Sequence, residues 1–279
     1  MARDLRAAVG TRVLIVDLRT PSIVEGEADE LHQLLPGRRL VGVARRAKSV
    51  ILSFEGDIAL LIAPRMTGAP RLERVEIGPR DRHDHLGILL ARRGRPSMRL
   101  VYRDPRRFGR LRLVRETPEG LRDAAGRDPF AHVGPEPLAE GFSPDDFAKR
   151  LRDRGGRRAI KAALIDQSVI AGVGNIYADE ACFAAGLDPR TPVDEISSRG
   201  LQRVAEAVMR IMREAIERRG SRIQSYRAPA GGEGMAAHLR AYGRAGQPCL
   251  RCGTEMRPLR VAGRGTTWCP RCQPATARG

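Results

Sequence analysis

Cys249-Leu-Arg-Cys252 and Cys269-Pro-Arg-Cys272, with 16 residues between them, decide how the C-terminal end of this chain folds. Two Cys-X-X-Cys knuckles at this spacing match the tetrahedral four-cysteine zinc pattern, in which all four sulfurs face one ion at ~2.3 Å. One structural Zn2+ is therefore expected, on Cys249, Cys252, Cys269 and Cys272. A disulfide framework would need an oxidising compartment, which nothing in the sequence indicates. A redox pair would use one such motif rather than two. Between the knuckles, Val261-Ala-Gly-Arg264-Gly-Thr266 sets small residues on both sides of one arginine, the pattern of a tight turn joining two strands. A ribbon this small needs its metal to hold it. Its tip arginine either faces solvent or reaches into a nucleic-acid groove. Cys182 stands apart beside Phe183 and reads as a buried core thiol.

Working back from the knuckles, the chain changes character twice. After Gly220 comes a Gly/Ala/Pro stretch, 228–234, that looks like a mobile loop. Before it, Leu201, Val204, Val208, Ile211, Met212 and Ile216 recur three or four apart, marking a helix packed on one face. Ser143-Pro-Asp-Asp146 opens another helix, with a capping serine and proline at the first helical position. Gly134-Pro-Glu-Pro137 breaks the chain, and ahead of it lie short β-rich runs at 12–18, 40–43, 49–54, 58–63, 86–90, 99–102 and 111–114, the pattern of a sandwich or barrel.

Hydrophobic residues make up 42% of the 279, enough for a core and too many for a disordered polyelectrolyte. No apolar run is long enough to cross a bilayer, and 1–10 does not read as a signal peptide. A cytoplasmic protein with no membrane partner is expected. The net charge of +17 favours a polyanionic partner, unless a GC-rich genome has simply inflated arginine. The surplus is uneven, with eight arginines and one glutamate from Arg240 onward. Only Lys48, Lys149 and Lys161 are lysines, and lysine alone of the two cations can give up its proton near neutral pH.

In sequence order, Arg45-Arg-Ala-Lys48, Arg65-Met-Thr-Gly68, His83-Asp-His85, Asp104-Pro-Arg-Arg-Phe-Gly109, Gly134-Pro-Glu-Pro-Leu138, Asp166-Gln-Ser-Val-Ile-Ala-Gly-Val-Gly-Asn-Ile-Tyr-Ala-Asp-Glu180 and Tyr242-Gly-Arg244 precede the hairpin. Together they resemble the formamidopyrimidine-DNA glycosylases. The related endonuclease VIII branch shares the architecture, but Gly-Arg264-Gly-Thr and His-Asp-His favour the first branch. The resemblance implies an α+β protein with an N-terminal β-sandwich (1–125), a linker (126–138), a helix-two-turn-helix domain (139–235) and a four-cysteine zinc β-hairpin (236–279). It implies a monomeric base-excision repair enzyme of the bacterial cytoplasm and nucleoid. Such an enzyme is a glycosidase and lyase that removes 8-oxoguanine and formamidopyrimidines from damaged double-stranded DNA.

It also implies residue roles. Lys48 acts catalytically as a proton donor at the lesion, and Arg264 contacts phosphates beside the flipped nucleotide and is linked to the second elimination. Met66, Arg106 and Phe108 fill the space of the extruded base, as apolar or planar groups can. His83, Arg157, Lys161 and Asn175 join Arg106 and Arg264 as DNA contacts, Arg157 because Gly156 stands where a lysine is expected. Gly172, Gly174 and Asn175 form a turn opening a helix, whose free N–H groups and dipole attract phosphate; Asn175 could instead be a simple helix cap. The loop 221–235 is expected to close over the flipped base.

Family members begin with Pro-Glu-Leu-Pro-Glu, whose proline amine forms a Schiff base with the sugar. By register, Ala2-Arg-Asp-Leu5 lies inside the family's first helix, so about ten residues, ~15 Å of helix, are expected upstream of Met1. The alternative is a non-catalytic protein that binds damaged DNA. A zinc-ribbon transcription factor would account for the cysteines and the charge, but not for the order of the other motifs.

Overall fold

The structure, a computed structural model, describes residues 1–75, 81–218 and 235–274. The chain forms two compact units, Met1–Ala131 and His132–Gly279.

The first unit is a β-sandwich behind a short helix, α1 (Ala2–Leu5). One sheet runs β1-β6-β7-β5 and the other β2-β3-β4-β8-β9. The strands are β1 (Arg12–Leu18), β2 (Leu40–Arg46), β3 (Ser49–Phe54), β4 (Ile58–Ala63), β5 (Ala69–Arg74), β6 (Asp84–Arg92), β7 (Arg95–Arg103), β8 (Arg110–Thr117) and β9 (Gly120–Arg122), with α2 (Glu30–Leu34) between β1 and β2. Alternation builds the core: Leu86, Ile88 and Leu90 of β6 meet Leu52, Leu60 and Ile62 of the other sheet. The unbroken apolar run of β4 arises because both its faces are covered. Leu60 and Ile62 face the main core, whereas Ala59 and Leu61 join Ile51, Val114 and Phe130 on the far side.

Sequence patterning locates β1, β3 and β4 to the residue, and it finds β2, β6, β7 and β8 too short. It misses β5 and β9 altogether. Ala69-Pro-Arg-Leu-Glu-Arg74 carries a proline and three charges, a composition tolerated because β5 is an edge strand with one row of backbone groups unpaired.

The second unit is helical, with α3 (Pro144–Gly155), α4 (Ile160–Ile165), α5 (Asn175–Ala185) and α6 (Ser198–Glu217). At the start of α3, Ser143 Oγ accepts the Asp146 N–H while Asp146 accepts the Ser143 N–H, a complete capping box. Val204, Val208, Ile211 and Met212 of α6 pack with Phe147, Leu164 and Cys182. Ile216 departs from the expected stripe, being 50% exposed near the helix end. The hairpin follows as β10 (Arg257–Val261) and β11 (Arg264–Trp268), with Val261 opposite Arg264. Its two linking residues, Ala262 and Gly263, have φ of 48° and 71°, as a type I′ turn requires. The stretch 228–234, expected as a mobile loop, and all of 221–235 but Met235, expected as a cover for the flipped base, lie outside the described residues. Among the described residues no helix is long and apolar enough to cross a membrane.

Candidate nucleic-acid interface

In the sandwich unit, the expected site residues occupy loops between strands. Lys48 is exposed in the β2–β3 turn, where Arg45 Nη1 donates to the Ala47 carbonyl at 2.7 Å. Met66 follows β4 at 59% exposure, and Phe108 precedes β8 at 48%. The Arg106 guanidinium lies 4.5 Å over the Phe108 ring, a cation–π stack that presents one flat surface.

A single buried carboxylate organises these loops. Asp104 accepts the Thr67 hydroxyl through Oδ1, the Gly109 N–H at 2.7 Å and the Tyr102 hydroxyl at 3.3 Å through Oδ2, and the Arg106 N–H at 3.3 Å. Burial pushes its carboxyl up, but these hydrogen bonds outweigh burial and hold it below the usual carboxylate value. Gly68 and Gly109 are obligatory here: a Cβ on either would lie 2.2 Å or 1.5 Å from the Tyr102 hydroxyl. His85 is also scaffold, bridging Thr20 Oγ1 at 2.9 Å and the Asp104 carbonyl at 2.8 Å. His83 is half-buried, with Nδ1 3.0 Å from Asp81 and Nε2 accepting from Arg82.

Backbone strain gathers at the same places. Five non-glycine residues among those described have positive φ, and four adjoin a candidate group or sit in its turn: Ala47 (51°), Arg65 (56°), Arg107 (54°) and Ala262 (48°). A left-handed residue costs about 1–2 kcal/mol, and such outliers concentrate at functional sites.

In the helical unit, Gln167 shapes the turn before α5. Its amide donates to the Ile165 and Val173 carbonyls and accepts the Gly172 N–H. Gly174 is the N-cap of α5, and no side chain fills the cap, so first-turn N–H groups are left for an anion. Asn175 is thus not the cap; its Nδ2 donates to the Gly265 carbonyl at 2.9 Å. Arg157 is exposed after α3, whereas Arg158 is committed to Asp166 at 2.7 Å.

Lys161, which the resemblance makes a DNA contact, has a fully buried side chain. Its ammonium lies 2.5 Å from Asp179 and donates to the Gly265 carbonyl at 3.0 Å and to Thr266 Oγ1 at 2.5 Å. Two hydrogen bonds and one ion pair thus hold the ammonium inside the fold. Asp179 also accepts the Thr267 N–H at 3.2 Å. Lys161 and Asn175 therefore grip the residue next to Arg264, which is itself exposed at the start of β11.

The hairpin module is fastened to α5 and to the turn that follows it. Glu180 accepts the N–H groups of Arg240, Ala241 and Tyr242 at 2.8–3.0 Å. Gln273 donates to the Leu187 carbonyl and accepts the Cys269 N–H, both at 2.8 Å. The four cysteine sulfurs lie within 4.8 Å of one another, with Cys252–Cys269 at 3.6 Å and Cys249–Cys272 at 3.9 Å. A tetrahedron with ~2.3 Å arms has S···S edges of about 3.8 Å, and a disulfide needs ~2.05 Å. Each knuckle also turns a backbone N–H onto a sulfur, Arg251 onto Cys249 and Cys272 onto Cys269. The residues fit one structural Zn2+, which when bound would tie the two knuckles together.

Asp104, Asp179 and Glu180 are functional supports that sequence reading did not single out. Glu180 and Asp179 carried the one available signal, acidic residues inside an otherwise apolar helix.

Three family models match the chain. The formamidopyrimidine-DNA glycosylase N-terminal domain covers residues 1–111, the H2TH domain of the same enzymes covers 133–227, and the zinc finger found in FPG and IleRS covers 246–275. The chain is 39% identical over 269 residues to the formamidopyrimidine-DNA glycosylase of Roseiflexus sp. (strain RS-1), covering 95% of this chain and 93% of that one. It is 41% identical over 248 residues to the one from Thermomicrobium roseum, covering 85% and 82%. Among solved structures, Lactococcus lactis Fpg with an abasic site containing DNA superposes with a TM-score of 0.86 at 31% identity, over 98% of this chain and 96% of that one. MutM in complex with carbocyclic 8-oxo-G containing DNA gives 0.84 at 30%, over 98% and 96%.

Proposed function

The chain belongs to the formamidopyrimidine-DNA glycosylase family, and we propose that it excises 8-oxoguanine and formamidopyrimidines from duplex DNA and then cleaves the abasic strand. The observation that carries this reading is the wedge. Met66 and Phe108, two large apolar side chains, are held out in solvent on loops braced by Asp104, with Arg106 stacked on the ring. Exposed apolar groups on rigid supports can replace the stacking of an extruded base. The uncapped N-terminus of α5 and exposed Arg157 suit the phosphates on either side of a bent site. Arg264, on a tip whose base is gripped by Lys161 and Asn175, would hold the phosphates of the flipped nucleotide. Lys48, exposed next to the left-handed Ala47, would donate a proton at the lesion. His83, half-buried beside Asp81, would join these DNA contacts. The partner is damaged double-stranded DNA, bound by a monomer in the bacterial cytoplasm.

Two measurements test this. The protein, given duplex carrying 8-oxoguanine and borohydride, should form a covalent protein–DNA band and nick the strand. Neither band nor nick would sink the catalytic reading and leave a lesion-binding protein. Met66→Ala with Phe108→Ala should lower affinity for abasic-site duplex by about tenfold or more, since stacking is worth ~1–3 kcal/mol per base. Intact duplex should be bound almost as before; equal losses on both would refute the wedge.

A further inference from the structure

A depression in the helical unit, away from the hairpin tip, collects arginines from three elements. The second half of α6 brings Arg210 and its C-cap Arg218, the segment pinned by Glu180 brings Arg240 and Arg244, and the first zinc knuckle brings Arg251, around a cavity of about 350 Å³. His238 stands among them. The acidic side chains in the lining are Glu180 and Glu214, and both are engaged. Glu180 takes the three backbone N–H groups described above. Glu214 takes Arg210 at 3.0 Å.

The remaining cations lack acidic partners among the described residues. Arg218 Nη1 approaches His238 Nε2 at 2.8 Å, so that imidazole serves as an acceptor for a guanidinium. Arg251 lies flat on Phe183, 4.6 Å from the ring centre, which fixes its plane without neutralising it. Arg244 donates Nη2 to the Pro248 carbonyl at 3.0 Å, yet its Nε is shut from solvent with no acceptor among the described residues. A secluded donor without a partner is expensive, and crowded guanidiniums repel one another. One compact, multiply charged anion with several acceptor oxygens would relieve both penalties. Guanidinium forks match the oxygen spacing of phosphate.

We propose that this depression is a phosphate-binding site, filled by a DNA backbone phosphate beyond the lesion or by a free phosphate. The site stands on the geometry of the helical unit alone; only its filling by a DNA backbone phosphate rests on the repair reading.

The test uses the zinc-loaded full chain at low ionic strength, titrated with inorganic phosphate and followed by 31P NMR. Saturable binding is expected for the native protein and for Arg264→Gln, and at least a tenfold loss for Arg240→Gln combined with Arg251→Gln. Arg218→Gln, on a different element, should weaken it independently, and equal zinc content certifies that the variants fold. Duplex binding across a salt series separates the sources. A backbone phosphate in the site predicts a log K–log[salt] slope shallower by about 0.9 in the double variant. A free phosphate predicts an unchanged slope with the titration signal lost. Phosphate binding that survives in both the double variant and Arg218→Gln, or that disappears with Arg264→Gln, overturns the proposal.

Discussion

Chelating the zinc, or replacing Cys269 with serine, is expected to release the hairpin and reduce affinity for abasic-site duplex by about tenfold or more. Two five-residue strands make a ribbon that is marginal in water. The buried cluster beneath it is small, Phe183, Ala241, Met256 and the cysteines themselves. In such a module the metal supplies the folding energy, about 10–16 kcal/mol for structural zinc in isolated fingers. The helices have their own core around Phe147, Leu164, Val204 and Val208. Circular dichroism should therefore show the helical signal almost intact while DNA binding fails. A metal-free protein that binds abasic duplex as tightly as the zinc form would contradict the role given to Arg264.

Lys161→Met should lower stability by about 3–5 kcal/mol, because it leaves the buried Asp179 carboxylate without its counter-ion. The loss depends on pH in a definite direction. In the native protein burial pushes the Asp179 carboxyl from 3.8 up to about 6, although Lys161 and the Thr267 N–H pull it down. Removing Lys161 moves it higher still. A carboxyl whose folded value exceeds its unfolded one stabilises the fold below the unfolded value, and that contribution is lost as pH rises through the folded value. The variant's deficit relative to the native protein should thus be greatest at pH 7 and above and shrink toward pH 5. Urea unfolding at the two pH values reads this directly. A deficit that grows on acidification would mean that Asp179 is not the group left exposed. Adding Asp179→Leu to Lys161→Met should restore much of the stability.

These two residues also mark where sequence reading stops. Spacing was sufficient for the cysteines, the capping box at Ser143 and the interior strands β3 and β4, because each pattern is local and has one strong physical reading. Met66 and Phe108 are picked out by the resemblance alone, and their exposure is visible only in the fold. Lys161 was legible as an unusual residue but not as a buried one, since its acceptors lie near position 265. Asp104 reads as a turn residue until Thr67 and Gly109 close around it. Edge strand β5 hid behind its charges.

The attachments of α5 bear on how this protein could be recombined. Asp179, Glu180 and the Leu187 carbonyl each accept a hydrogen bond from residues between 240 and 273, and Asp179 is also paired with Lys161. The piece recognisable by its cysteines, residues 246–275, is therefore not the natural unit of exchange. A chimaera joined at 246 would import a finger with foreign contacts and cut across the bonds of Asp179 to Thr267 and of the Leu187 carbonyl to Gln273. One joined ahead of α4 would carry lysine, acids and hairpin together, and its seam would cross none of these bonds.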